Sequence, residues 1–128
     1  MAWPKILVVD DEVEFATTLV ERLLLRNYEA EAVHCAEDVY AIVKRNPPAV
    51  VLLDLKMPGV DGIDVLKTIK QFRQDVEVII VTGHGEPRYA EKALEAGAFD
   101  YIVKPIDIRE LTSKIDKAIK KYNTSSSE

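Results

Sequence analysis

The chain contains a single cysteine, Cys35, so no disulfide can form within it, and with no Cys or His pair nearby a zinc site is excluded too. A reducing compartment is the default for such a chain, and the cytoplasm is the expected location. Positive charge is in deficit: 17 Lys and Arg against 22 Asp and Glu leave a net charge of −5. That balance gives no support for nucleic-acid or anionic-membrane binding by the chain itself. No apolar run approaches the ~18–20 residues of a membrane-spanning helix, and the N-terminus has no signal-peptide core, so neither spanning nor export is expected. What remains is an ordinary globular composition. The 128 residues suffice for one domain that buries about two-thirds of its unfolded surface.

One stretch organises the rest. Ala49 to Leu53 and then Leu55 are apolar, interrupted only by Asp54 and followed by Lys56-Met57-Pro58-Gly59. A continuous aliphatic run of this length reads as a strand covered on both faces. Pro and Gly then stop it. Asp54 is thus placed where a buried strand opens into a loop, and an unpaired charge there is costly.

The remainder alternates in type. Ile6-Leu7-Val8-Val9 is a short strand ending in Asp10-Asp11-Glu12, and helical spacing follows, with Val13, Ala16, Val20, Leu23 and Leu24 on one face. Asn27 is the expected stop. Residues 28–33 read as a strand and 36–45 as a helix ended by Asn46-Pro47-Pro48. Past Gly62, the residues Ile63, Val65, Leu66, Ile69 and Phe72 mark a third helix. A strand over 76–81 ends in Thr82-Gly83-His84-Gly85, a helix spans 88–96, and a last strand over 99–103 ends in Lys104-Pro105. A final helix begins near Asp107, with Leu111, Ile115, Ala118 and Ile119 inward. The domain is expected over 1–122, and 123–128 read as a polar, fraying tail or the start of a linker. Five strand–helix units with short connections argue an α/β doubly wound parallel sheet of five strands, with five helices on its two faces.

Four of those strands end at Asp10-Asp11, Asp54, Thr82 and Lys104, and in a parallel sheet these ends share one edge. Ligands bind at that edge, where the strand order reverses. Three carboxylates crowded there repel by several kcal/mol, so they need a counter-charge. Lys104 supplies one, and a hard divalent cation with oxygen ligands, Mg²⁺, suits the rest. A carboxylate beside Mg²⁺ is a nucleophile toward phosphorus, with metal and ammonium steadying the phosphoryl oxygens. Thr82 offers a hydroxyl to one of those oxygens, and Gly83 leaves room for the incoming group. The residues therefore imply phosphorylation of Asp54.

Over nearly its whole length the chain resembles the receiver domain of two-component response regulators. The resemblance rests on the acidic pair after strand 1, on Asp54 followed by Met-Pro-Gly-Val-Asp-Gly, on Thr82 after strand 4, and on Lys104-Pro105 after strand 5. It implies a flavodoxin-like strand order 2-1-3-4-5, with Asp54 as phosphoacceptor. Asp11 and Asp54 would be direct Mg²⁺ ligands, Asp10 would act through water, and the Lys56 carbonyl would complete the protein ligands. Thr82 and Lys104 would contact the phosphoryl group, and the Lys104–Pro105 bond would be cis. Tyr101 is placed like the family's aromatic switch, which turns inward as Thr82 moves, altering the surface of the fourth helix, fifth strand and fifth helix. Lys56 and His84 stand where the family tunes dephosphorylation. The implied phosphodonor is a histidine kinase or a histidine phosphotransfer protein, docking on Phe15 and Leu19 of helix 1 and on Pro105 and Ile106. A homodimer formed on phosphorylation is left open. The chain is expected to be a signalling module that assists its own phosphorylation and autodephosphorylation, not an enzyme.

Three other readings compete. A flavin binder would need a phosphate loop where Asp10-Asp11-Glu12 would repel phosphate. An aspartyl phosphatase would carry its nucleophile after strand 1. A receiver that no longer takes phosphate would lack one of the core residues. His34 and Cys35 are expected to carry no chemistry, Trp3 and Pro4 to pack at the N-terminus, and Lys120-Lys121 to face the negative end of the last helix.

Overall fold

The computed structural model describes residues 5–83 and 87–126. In chain order the elements are β1 (Lys5–Val9), α1 (Val13–Leu24), β2 (Glu29–Val33), α2 (Ala36–Arg45), β3 (Val50–Asp54), β4 (Lys56–Met57), β5 (Val60–Asp61), α3 (Gly62–Phe72), β6 (Glu77–Thr82), α4 (Pro87–Glu95), β7 (Asp100–Val103) and α5 (Ile108–Ser126). Five strands form one parallel sheet in the order β2-β1-β3-β6-β7. The order reverses between β1 and β3, which lie side by side in register from Ile6–Val50 to Val9–Leu53.

Both faces of the sheet are buried, and alternate side chains explain how. Leu7, Val9, Val51, Leu53, Val78 and Ile80 meet α2, α3 and α4, through residues such as Val39, Val43, Leu66 and Ile69. Their neighbours Ile6, Val8, Val50, Leu52, Ile79 and Val81 meet α1 and α5, through Ala16, Leu19, Leu23, Leu111 and Ile115. With period-2 alternation sending apolar groups both ways, the central strands must be continuously aliphatic.

The helix ends follow local chemistry. Asn27 adopts φ 68° and closes α1, with the Tyr28 N–H bonded to the Leu23 carbonyl at 3.1 Å, the arrangement expected of a left-handed stop. Asp61 caps α3, its Oδ1 accepting from the Ile63 N–H at 2.9 Å. Asp107 does the same for α5, accepting from the Arg109 N–H at 2.9 Å.

Four details depart from the sequence reading. First, Val13 and Leu24 of α1 point outward, at 55% and 50% exposure, and Leu19 takes their place in the core at 4%. The buried face is Ala16, Leu19 and Leu23, a stripe rotated from the expected one, and it removes Leu19 from any docking surface. Second, Lys56–Met57 and Val60–Asp61 form a small antiparallel hairpin. Pro58 and Gly59 (φ 73°) make its turn, where a positive φ favours glycine. Third, α5 runs past residue 122 to Ser126. Tyr122 packs on the α1/α5 side of the core, and the Thr124 hydroxyl donates to the Lys120 carbonyl at 3.0 Å. Fourth, Lys121 therefore does not end the helix; its ammonium lies 3.6 Å from Glu77. Trp3 and Pro4 lie outside the described residues.

Candidate functional site

The carboxyl ends of β1 and β3 leave Asp10 and Asp54 side by side at the point of strand reversal, and both are buried, at 1% and 5% exposure. Each carboxylate is fixed by the backbone two residues on: Asp10 Oδ1 accepts the Glu12 N–H at 2.9 Å, and Asp54 Oδ1 accepts the Lys56 N–H at 3.0 Å. These two bonds use one oxygen of each acid and leave Oδ2 facing inward. There stands Lys104, the residue directly after β7 and the one before a cis Lys104–Pro105 bond. Its Nζ is 3.2 Å from Asp10 Oδ2, 3.4 Å from Glu12 Oε1 and 3.7 Å from Asp54 Oδ2. The ammonium also rests over the Phe15 ring, 4.3 Å from its centre, so this half-buried aromatic of α1 helps to hold it.

Electrostatics follow from that packing. Burial pushes the Asp54 carboxyl up to about 6, and the Asp10 charge adds to the rise, while the Lys56 N–H and the Lys104 ammonium restrain it. Burial pulls the Lys104 ammonium down, but Asp54, Asp10 and Glu12 outweigh it and leave its pKa above that of an ordinary lysine. One cation against three acids leaves the pocket net negative.

Carboxylate oxygens of Asp10, Glu12 and Asp54 lie within 4.8 Å of one another. A hard-oxygen set of this size and charge fits a divalent cation of the Mg²⁺ kind. Glu12 joins Asp10 and Asp54, two of the acids that the sequence reading named together with Asp11. The Asp10 bond to the Glu12 N–H turns the chain so that Glu12 reaches Lys104, and Asp11 is exposed.

Thr82, at the end of β6, is buried, and its hydroxyl donates to the Gly83 carbonyl at 3.3 Å. Thr82 and Gly83 line a cavity of about 400 Å³ with Leu55, Lys56, Gly62 and Tyr89. A side chain added at Gly83 would meet nothing within 4 Å, so the space beside Thr82 is open. Tyr101 points outward at 37% exposure, with the Lys114 ammonium 5.9 Å from its ring centre. His84 lies outside the described residues. The sequence reading missed one contact: the His34 Nδ1 lies 2.9 Å from the Asp10 carbonyl oxygen and ties β2's exit to the acidic loop. Nothing in the spacing of His34 and Asp10 signals it; parallel pairing of β1 with β2 creates it.

A doubly wound parallel sheet whose point of reversal gathers carboxylates and a lysine defines an α/β domain with an acidic site at its carboxyl edge. Residues 6–116 match the family model described as response regulator receiver domain. The chain belongs to that family, the receiver domains of two-component systems, which are signalling modules. It is 36% identical over 118 residues to sporulation initiation phosphotransferase F of Bacillus subtilis, covering 92% of each protein. It is 31% identical over 112 residues to the photosynthetic apparatus regulatory protein RegA of Rhodovulum sulfidophilum, covering 88% of this chain and 61% of RegA. The chain therefore spans less than two-thirds of that regulator. Among solved structures, a response regulator receiver domain protein from Clostridium thermocellum superposes with a TM-score of 0.88 at 32% identity, covering 94% of this chain and 98% of that one. Members of the family interact with histidine kinases or phosphotransfer proteins. No described helix is long and apolar enough to cross a membrane.

Proposed function

We propose that Asp54 is the phosphoacceptor of a receiver domain that takes its phosphoryl group from a histidine kinase or histidine phosphotransfer protein. The observation that carries this reading is the Lys104 ammonium, 3.2 Å from Asp10 and 3.7 Å from Asp54, with Asp54 paired in the sheet to Val81, the residue before Thr82. An Asp54 oxygen attacks phosphorus, the bond from phosphorus to the donor nitrogen breaks, and the imidazole leaves with that electron pair. Lys104 holds a phosphoryl oxygen as charge spreads over it, and the Thr82 hydroxyl turns from Gly83 toward another. Asp11, Asp54 and the Lys56 carbonyl would hold Mg²⁺, with Asp10 acting through water and Glu12 as a further carboxylate of the cluster. When bound, that ion supplies the charge neutralisation that lets an anionic carboxylate approach an anionic phosphoryl group.

Phosphorylation adds roughly −1.5 to −2 charge, and the movement of Thr82 lets Tyr101 turn inward, changing the α4–β7–α5 surface. A coupling of ~1–3 kcal/mol gives a partial population shift. Lys56, exposed beside the acceptor, and His84 tune the lifetime of the phosphate, including its autodephosphorylation. Phe15, Pro105 and Ile106 belong to the donor-docking face, now without Leu19. The receiver unit includes α5 through Ser126, and the protein works in the cytoplasm without contacting nucleic acid itself. Incubation with acetyl phosphate and Mg²⁺, read by intact mass, tests the reading. One hydroxylamine-labile phosphoryl adduct, absent from Asp54→Ala, is expected; an adduct that persists in Asp54→Ala overturns it.

A further inference from the structure

Glu77 opens β6 at the edge of the sheet opposite the acidic site, and it is 2% exposed. Its Oε1 is buried and accepts no hydrogen bond from any described residue. A carboxylate so placed is costly unless cations compensate it. Two do so from a distance: Lys121 of α5 at 3.6 Å and Lys70 of α3 at 3.9 Å.

The two lysines are not equivalent. Lys70 is fixed, its Nζ donating to the Gln74 carbonyl at 2.8 Å and the Val76 carbonyl at 2.9 Å. Lys121 is 57% exposed and also stands 5.7 Å from the centre of the Phe99 ring. Between them lies a hollow of about 440 Å³ bounded by Lys70, Gln74, Asp75, Glu77, Gly97 and Lys121. If Lys121 withdraws, Glu77 still faces Lys70, so the buried charge keeps a counter-ion and the strand keeps its place. The contact can open without unfolding what it is attached to.

Polar ties hold α5 along its length. Lys114 bonds Asp100 at 2.8 Å, Tyr28 donates to Asp116 at 2.6 Å, and Lys121 reaches Glu77. We propose that Glu77 and Lys121 form a releasable latch that pins the last turns of α5 to the amino end of β6, the strand whose other end carries Thr82. Closed, the latch holds residues 121–126 against the domain. Open, it frees them to change course, independently of the chemistry at Asp54.

Amide hydrogen exchange on the full chain tests this, with Glu77→Gln, Lys121→Met and the double variant. Lys121 is exposed, so its replacement leaves the core intact even if loss of the buried charge disturbs folding. Each single variant should speed exchange of amides 120–124 by about fivefold, with the Val51 and Ile80 amides unchanged. The double variant should exchange no faster than either single one, because both remove the same contact. Unchanged exchange at 120–124 in Lys121→Met, or additive effects in the double variant, would overturn the latch.

Discussion

The Lys104 ammonium lies 3.2 Å from Oδ2 of Asp10, a residue 94 positions away in the chain, and 3.7 Å from Oδ2 of Asp54. One cation therefore serves two buried acids. Lys104→Met should lower the stability of the metal-free protein by about 2 kcal/mol, below the ~3–5 kcal/mol of a fully buried pair because the side chain is partly exposed. Mg²⁺ should restore much of the loss by neutralising the same carboxylates. Urea unfolding with and without Mg²⁺ measures both effects, and an equal loss in the two conditions would contradict this account of the charge balance.

The raised Asp54 carboxyl makes stability depend on pH in a defined direction. Its pKa rises from 3.8 unfolded to about 6 folded, so the native state holds the proton more tightly. The contribution is full below about pH 4 and is lost as pH rises through about 6. Asp54→Asn removes that loss. Without Mg²⁺, the variant should gain on the wild type between about pH 4 and pH 7, by on the order of 2–3 kcal/mol. Denaturant midpoints across that range decide the matter; parallel curves would show that Asp54 is not desolvated.

The hairpin after β3 depends on a glycine for its close approach. A Cβ at Gly62 would sit 2.7 Å from the Leu55 Cα and 2.9 Å from its carbonyl oxygen, both backbone atoms that cannot swing away. Gly62→Ala should cost about 1–3 kcal/mol. At Gly83 the added Cβ meets nothing, so Gly83→Ala should unfold at the wild-type urea concentration. Equal stability of the two variants would refute the contact.

Much of this was legible in the sequence because burial on both faces demands unbroken aliphatic strands, and Ile6–Val9, 49–53 and 78–81 supply them. The positions of Asp10, Asp54 and Lys104 followed from the same logic, since parallel strands bring their carboxyl ends together. What escaped was side-chain direction. The sequence reading named Asp11 beside Asp10 and gave no sign that the Glu12 carboxylate would come within 3.4 Å of Lys104, with the Glu12 N–H bonded to Asp10. Leu19 could have been recognised, since Ala16, Leu19 and Leu23 share one helical face; the many apolar residues of α1 blurred the choice. Glu77 gave no warning, because a glutamate at the start of a strand ordinarily faces water, and its burial depends on Lys70 and Lys121 arriving from α3 and α5.

The outward Tyr101 is the unswitched arrangement of the proposed mechanism. Beryllofluoride with Mg²⁺ should shift the NMR signals of the Tyr101 ring and of α4 in the wild type, and not in Asp54→Asn. Unchanged signals with the analogue bound would remove Tyr101 from the mechanism.

The central claim is that the phosphoryl group lands on Asp54. Borohydride reduction of the protein after acetyl phosphate and Mg²⁺ converts an acyl phosphate to an alcohol, and peptide mass spectrometry then locates it. The account predicts reduction at residue 54 alone. Reduction at Asp10, Asp11 or Glu12 instead, or at no residue of a protein shown to carry the phosphoryl group, would contradict it.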